Sequence, residues 1–163
     1  MLFRSLGTPC YEYSGVKARL YGFELEGKKV LFKTTESGLW MGTYKADYTF
    51  GEDVSNSAPL PRIAPMRLTL GLAYQQASFS AALDVLHAFS QNRYNDNKGP
   101  TAGYTFYGAS ISNRIFSQGY KNLYWFIRGE NLTNVQGFSS TSILRDVVPL
   151  PGRNIKIGLR LNF

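Results

Sequence analysis

The sequence predicts an all-β fold, an antiparallel meander of about seven strands. Apolar and polar residues alternate with a period of two over long segments, which is typical of strands with one dry face. The connections between these segments alternate between short and long. Eleven Tyr, eleven Phe and two Trp make up 15% of the 163 residues, and many of them stand near strand ends. The longest apolar run, Leu123–Ile127, is far below the roughly 20 residues of a spanning helix.

The last segment shows the alternation most clearly, because five apolar residues alternate with Asn, Lys, Gly and Arg: Ile155, Ile157, Leu159, Leu161 and Phe163. The same pattern places strands near 16–32, 39–50, 65–75, 79–90, 104–116, 121–132 and 153–163. Residues 79–90 also fit helical spacing, and we choose a strand because every neighbouring segment is one. Residues 104–116 alternate poorly, so their facing stays undecided.

The connections suggest which architecture the strands form. Three are short, at 33–38, 76–78 and 117–120, and three are long and rich in Gly, Pro, Asn and Ser, at 51–64, 91–103 and 133–152. Antiparallel strands put the short connections at one end of the sheet and the long ones at the other. Tight turns on one side and elaborate loops on the other are typical of outer-membrane barrels.

The polar positions of the strands carry five acidic and five basic residues. They are Glu24, Glu26, Lys45, Asp47, Arg67, Asp84, Arg128, Glu130, Lys156 and Arg160. On the interior face of a barrel such residues would form a lumen ion-pair network. The aromatic residues near strand ends indicate membrane-interface girdles, at Tyr21, Trp40, Tyr48, Phe50, Tyr74, Tyr104, Tyr120 and Phe163. A soluble β-sandwich binding domain, which also alternates, remains an alternative.

Other classes of function lack the residues that they need. Cys10 and His87 are the only cysteine and histidine, so we expect no disulfide framework, no metal site and no histidine-based catalytic triad. The formal charge of +7 is spread at one or two cations per strand, which argues against nucleic-acid binding. We therefore expect no enzyme, no catalytic residues and no cofactor.

Four stretches resemble the carboxyl-terminal barrel of TonB-dependent outer-membrane receptors, in the order and spacing of that family. They are KARLYGFELEG at 17–27, PLPRIAPMRLTLGLAYQ at 59–75, FIRGENLTN at 126–134 and LRDVVPLPGRNIKIGLRLNF at 144–163. The resemblance implies a location in the bacterial outer membrane. It also implies uptake of a scarce nutrient, foremost a ferric siderophore or another metal chelate, with haem, cobalamin, zinc and sugars as further cargoes. Phe163 would then be part of the signal that the barrel-assembly machinery reads.

The resemblance covers only part of such a receptor, whose barrel has about 22 strands around a plugged lumen. The sequence contains neither the plug domain nor the box that TonB grips. We therefore expect residues 1–15 to form a loop or partial strand. Residues 16–163 would supply the last strands of a large transmembrane β-barrel whose TonB complex acts through the missing plug of a full-length parent. Outer-membrane lipid is the expected environment, and transport by the segment alone is not expected.

The long loops are where a ligand from outside would bind. Arg93, Tyr94, Tyr104, Phe138 and Arg145 are the candidates, because they could contact an anionic or aromatic ligand. Each of them could instead hold its own loop in place. A third architecture is also open: if residues 2–13 form an eighth strand, the chain has the size of a small, self-contained eight-stranded outer-membrane barrel.

Overall fold

The computed structural model describes residues 2–5, 8–11, 15–34, 38–96, 98–119 and 121–163. Its ten strands are β1 (Leu2–Ser5), β2 (Thr8–Tyr11), β3 (Ala18–Thr34), β4 (Gly38–Asp53), β5 (Ala58–Pro59), β6 (Arg67–Gln76), β7 (Phe79–Ala88), β8 (Tyr104–Gln118), β9 (Lys121–Glu130) and β10 (Asn154–Asn162). A strand occupies 79–88, as predicted, rather than a helix. No helix in the described ranges is long and apolar enough to cross a membrane.

The main sheet is an antiparallel meander in the order β10-β9-β8-β7-β6-β4-β3, and the two-residue β5 pairs with the outer end of β4. This confirms the predicted all-β antiparallel fold. β1 and β2 pair with each other in a separate two-stranded sheet. The small-barrel alternative would need this segment as an eighth strand of the main sheet. Within the described residues it pairs with neither β3 nor β10, so the main sheet stays open.

The register brings all apolar stripes to one side of the sheet. Tyr44 stands opposite Leu70, Leu70 opposite Val85, and Val85 opposite Tyr107. We call this side the apolar face and the opposite side the charged face, because all ten charged residues named above have the opposite phase. The shared phase across strands distant in sequence is what one continuous wall requires.

Aromatic pairs lie near both ends of the apolar face. Tyr21 stacks on Phe50 at 4.5 Å near the end that carries the long loops, and Trp40 lies 4.7 Å from Tyr74 near the other end. Tyr104 departs from the prediction, because it stands opposite Ala88 and belongs to the charged face. Tyr120, another of the predicted girdle residues, lies outside the described residues. Two interface belts of this kind fit a membrane-spanning wall.

The alternation at 104–116 is poor because Tyr104 and Phe106 lie on the charged face, whereas Thr105 and Asn113 lie on the apolar face. A β-bulge interrupts the register between Arg114 and Phe116, so Ile115 is an extra residue in the strand. Before the bulge the odd-numbered residues of β8 lie on the apolar face. After the bulge an even-numbered residue, Phe116, lies on that face. The inserted residue reverses the parity from Phe116 onwards, so it affects only the end of this segment.

The described residues form no second layer over the main sheet. Ala88 is the only buried hydrophobic residue in the described part of the chain, while Leu70 is 52% exposed and Ile157 is 75% exposed. A β-sandwich would bury these side chains between two sheets. The sandwich alternative is therefore wrong, and the apolar face needs a partner other than this chain.

The three long loops meet at one end of the sheet. The Gln91 side-chain amide donates to the Ile63 carbonyl at 2.9 Å, and the Ser140 hydroxyl donates to the same oxygen at 3.2 Å. Ala77 and Ser78 form the tight β6–β7 turn at the opposite end. The other two short connections include residues 35–37 and 120, which lie outside the described residues. We call the end with the long loops the loop end.

Candidate functional site

The charged face contains a first cluster of ion pairs on β3, β4 and β6. Lys45 Nζ lies 2.8 Å from Glu24 Oε1 and 3.6 Å from Glu26 Oε2. Arg67 Nε lies 2.9 Å from Asp47 Oδ2. Glu26 stands directly opposite Lys45 in the register and Asp47 directly opposite Arg67, so the strand pairing itself brings these charges together. Cross-strand pairs of opposite charge are a standard element of sheet stabilisation.

A second cluster lies on β9 and β10. The Glu130 carboxylate accepts from both sides, with Oε1 at 3.1 Å from Arg128 Nε and Oε2 at 3.1 Å from Lys156 Nζ. Arg160 makes no ion pair within the described residues, and its guanidinium lies 6.0 Å from the centre of the Phe126 ring. The second cluster therefore has more cations than carboxylates.

Asp84 stands between the two clusters without a charged partner among the described residues. The residues directly opposite Asp84 are Gly71 on one side and Gly108 on the other, so neither supplies a side chain to pair with it. Nine of the ten charged residues thus form two separate clusters, Asp84 stands apart, and eight of the ten are in ion pairs. Their role as a lumen network stays a prediction.

Arg145 connects two of the long loops. Its side chain is 5% exposed, and Nη2 donates to Asp96 Oδ1 at 2.6 Å and to the Gly99 carbonyl at 2.7 Å. Lys98 reinforces the contact, with Nζ at 2.9 Å from Asp146 Oδ2. Charge-assisted hydrogen bonds of this kind are strong when water is excluded. The guanidinium of Arg145 is therefore engaged within the loops.

The other four loop candidates separate into two places. Arg93 lies with its guanidinium 3.6 Å from the centre of the Phe50 ring, on the apolar face, and Tyr94 is exposed nearby in sequence. Tyr104 and Phe138 instead line one small cavity of about 60 Å³ at the loop end, together with Arg67 and the buried Thr101. The Thr101 hydroxyl has no hydrogen-bond partner there.

Asn131 is a loop residue that sequence reasoning passed over. It is 4% exposed, and its side-chain amide donates to the carbonyls of Val135 at 2.9 Å and Pro151 at 3.1 Å. The backbone amide of Val135 donates back to Asn131 Oδ1 at 2.9 Å. Asn131 thereby closes both ends of the loop that joins β9 to β10. An Asn directly after a strand is the available signal, since Asn tolerates the φ of 48° found here.

Two further sequence expectations concern single residues. His87 Nδ1 lies 2.9 Å from the Thr105 hydroxyl, and its ring contacts Phe89 edge-on. The described residues contain no group of three or more His, Cys, Asp and Glu that could hold a metal ion. Phe163 follows β10 and is 92% exposed, and its role in assembly stays a prediction.

Comparisons with known proteins agree with this geometry. The profile of a family described as TonB dependent receptor-like, beta-barrel matches residues 2–132. Thirty-one chains of solved structures match, among them one titled "Copper transporter OprC". That match has a TM-score of 0.76 and 22% sequence identity, and it covers 90% of this chain but 23% of the other. No curated protein matched. The chain therefore spans about a quarter of the length of this structural neighbour, and the likeness at this identity shows the fold.

Proposed function

The chain belongs to the TonB-dependent receptor β-barrel family, and we propose that it forms part of the wall of a receptor that takes up a scarce nutrient. Barrels of this family lie in the outer membrane of Gram-negative bacteria. The observation that carries the proposal is the main sheet itself, whose apolar face has no protein cover while its opposite face carries ion pairs. Lipid would cover the first face, and a polar lumen would meet the second.

The two edges of the sheet limit what this segment could do alone. β3 and β10 both have a free edge in the main sheet, and unpaired backbone groups are not tolerated in lipid. Both strands also start at the loop end, so they run in the same direction. Antiparallel closure therefore needs an odd number of further strands between them. We infer that the segment transports nothing until such strands close the barrel.

A metal-containing cargo is our first choice, either a ferric siderophore or another metal chelate. The neighbour described above is titled a copper transporter, which supports the wider class of metal cargo. Among the loop candidates, Tyr104 and Phe138 are the best placed, because they share a cavity with the cation of Arg67. Arg145 and Arg93 already have partners within this chain, so they are second choices. No catalytic role is proposed.

The experiment uses the complete protein that contains this chain, in its source bacterium. Deletion of its gene should abolish TonB-dependent accumulation of a radiolabelled ferric siderophore or of a radiolabelled copper complex. Complementation with Tyr104→Ala or Phe138→Ala should lower cargo affinity at unchanged outer-membrane abundance. Tyr107→Ala is the matched control, because Tyr107 lies on the same strand but on the apolar face. Unchanged accumulation of every metal complex in the deletion strain would overturn the metal proposal.

A further inference from the structure

A slot opens on the apolar face at the loop end, between β4 and the strands beside it. β4 continues to Asp53, whereas β6 begins at Arg67 opposite Asp47. β5 pairs with Glu52 and Asp53, and the Leu60 amide donates to the Gly51 carbonyl at 3.1 Å, so the gap in the ladder lies along residues 48–50. The resulting slot has a volume of about 290 Å³. We call it the rim slot.

The walls of the rim slot are mainly aromatic and apolar. Tyr48 and Phe50 share the phase of the apolar face, since they stand opposite Phe23 and Tyr21. Met66 and Phe89 supply the other wall, and the Phe89 backbone amide donates to the Met66 carbonyl at 3.0 Å, which continues the ladder. In the membrane wall proposed above, these side chains would lie at its loop end, beside the outer head groups.

A cation stands at the mouth of the slot. The Arg93 guanidinium lies 3.6 Å from the centre of the Phe50 ring. The backbone amide of Arg93 donates to Gln91 Oε1 at 3.0 Å. No carboxylate pairs with Arg93 in the part of the chain that the structure describes. Arg19 lies on the same face, and its Nη1 is 4.0 Å from Glu52 Oε2. Arg19 and Glu52 balance each other and do not line the slot, and among the described residues that do, Arg93 alone is charged.

We infer that the rim slot binds a phosphorylated lipid of the outer leaflet. An acyl chain would lie against Tyr48, Phe50 and Phe89, while a phosphate would accept hydrogen bonds from Arg93. The inference rests on the proposed function, in which lipid covers the apolar face. An apolar slot under a guanidinium that has no acidic partner matches an anionic amphiphile, because the two ends of such a ligand need opposite surroundings. Arginine suits phosphate better than lysine does, since its planar fork can donate two hydrogen bonds.

The test uses the complete protein, purified from outer membranes in a mild detergent. The probe is bisphosphorylated lipid A in mixed micelles, and native mass spectrometry counts bound lipid. Arg93→Gln should lower the affinity about tenfold through the loss of charge-assisted hydrogen bonds. Arg93→Lys should give an intermediate loss. Arg153→Gln is the matched control, because Arg153 is an exposed loop arginine away from the slot, and it should leave lipid binding unchanged.

Further arms decide what the slot recognises. The unmutated protein should bind dephosphorylated lipid A no more tightly than the Arg93→Gln variant binds phosphorylated lipid A. Inorganic phosphate at millimolar concentration should fail to compete with lipid A for the unmutated protein. Equal binding of both lipids would overturn the role of the phosphate. Competition by inorganic phosphate would overturn the lipid as occupant. Unchanged binding in Arg93→Gln would overturn the proposal, and Phe89→Ala, which opens the apolar wall, should weaken lipid A binding independently.

The readout separates this inference from the proposed transport function. Loss of metal uptake with intact lipid binding would contradict the proposed cargo and leave the rim slot supported. Loss of lipid binding in Arg93→Gln with unchanged uptake would support the slot and show that it does not serve the cargo. Outer-membrane abundance is measured for every variant, so that a failure of assembly is not counted as a loss of binding.

Discussion

The two faces of the main sheet are built from the same strands but differ in the residue types that they carry and in the contacts that these residues make. On the apolar face, exposed Leu, Ile, Val and aromatic side chains meet one another across every strand pair. Ala88, the only buried hydrophobic residue among the described residues, lies on the charged face. On the charged face, Glu24, Lys45, Asp47 and Arg67 pair across strands instead. A soluble protein hides its apolar face in a core. Here that face is exposed, and in the proposed barrel wall the surrounding lipid rather than a protein core would select its residues.

The strongest test of this comparison places the same charge on either face of one strand. Leu83 and Ala82 are neighbours on β7, with Leu83 on the apolar face and Ala82 on the charged face. Leu83→Arg should destabilise the barrel by about 2–4 kcal/mol if it lies near the middle of the bilayer. Ala82→Arg should cost far less, because it faces the same side as Asp84. Urea unfolding of the complete protein in lipid vesicles measures both, and equal costs would contradict the assignment of the faces.

The loop clamp should give the next largest effect. Arg145→Ala removes the donors to Asp96 and to the Gly99 carbonyl, which should lower the local opening free energy of the two loops by about 1–3 kcal/mol. Limited proteolysis within 89–103 and 131–153 reports this opening. The exposed Arg153→Ala is the control. A loss of cargo affinity with unchanged proteolysis would instead assign Arg145 to ligand binding.

A single ion pair on the charged face should contribute less than the clamp. Arg67→Met removes the partner of Asp47 and should cost about 0.2–1 kcal/mol, because pairs in contact with water gain little. Arg160→Met is the comparison, since Arg160 has no ion pair within the described residues. Unfolding in vesicles measures the difference. A cost above that of Leu83→Arg would mean that the charged face is dry rather than open to a polar lumen.

The smallest effect is a dependence on pH at the loop end. The Asn56 side-chain amide at 2.7 Å, helped by backbone amides that include that of Ser55, holds the pKa of the Asp53 carboxyl below its usual range. A lowered pKa stabilises the folded turn above the ordinary carboxyl pKa of about 3.9, and this contribution disappears as the pH falls through the folded value. Hydrogen exchange of 54–57, corrected for intrinsic rates, should therefore rise only below about pH 4. Asp53→Asn should remove the dependence.

The strands were predictable because their alternation is strong. Ile155, Ile157 and Leu159 alternate with polar residues so regularly that both the strand and its facing follow from the sequence, and the family resemblance is confirmed by the match over residues 2–132. The facing of 104–116 did not follow. Tyr104 and Phe106 lie on the charged face there, against the usual pattern, and the bulge residue Ile115 reverses the parity from Phe116 onwards.

The site was less predictable because it depends on contacts between distant loops. The register that pairs Lys45 with Glu26 follows from strand order, so the clusters on the charged face could be anticipated. The burial of Arg145 against Asp96 could not be, since 49 residues separate them. The same holds for Asp84, whose isolation depends on glycines contributed by two neighbouring strands.

Spin-label accessibility along β7 tests the central claim most directly. The complete protein, with Cys10 replaced by Ser, would carry one nitroxide at a time at residues 80 to 85 and would be measured in lipid vesicles. Labels at 81, 83 and 85 should collide mainly with oxygen, which concentrates in lipid, and labels at 80, 82 and 84 should not. Such an alternation with a period of two is the result that we expect. Oxygen contact without alternation, or with maxima at 80, 82 and 84, would contradict an apolar face in the membrane and a charged face towards the lumen.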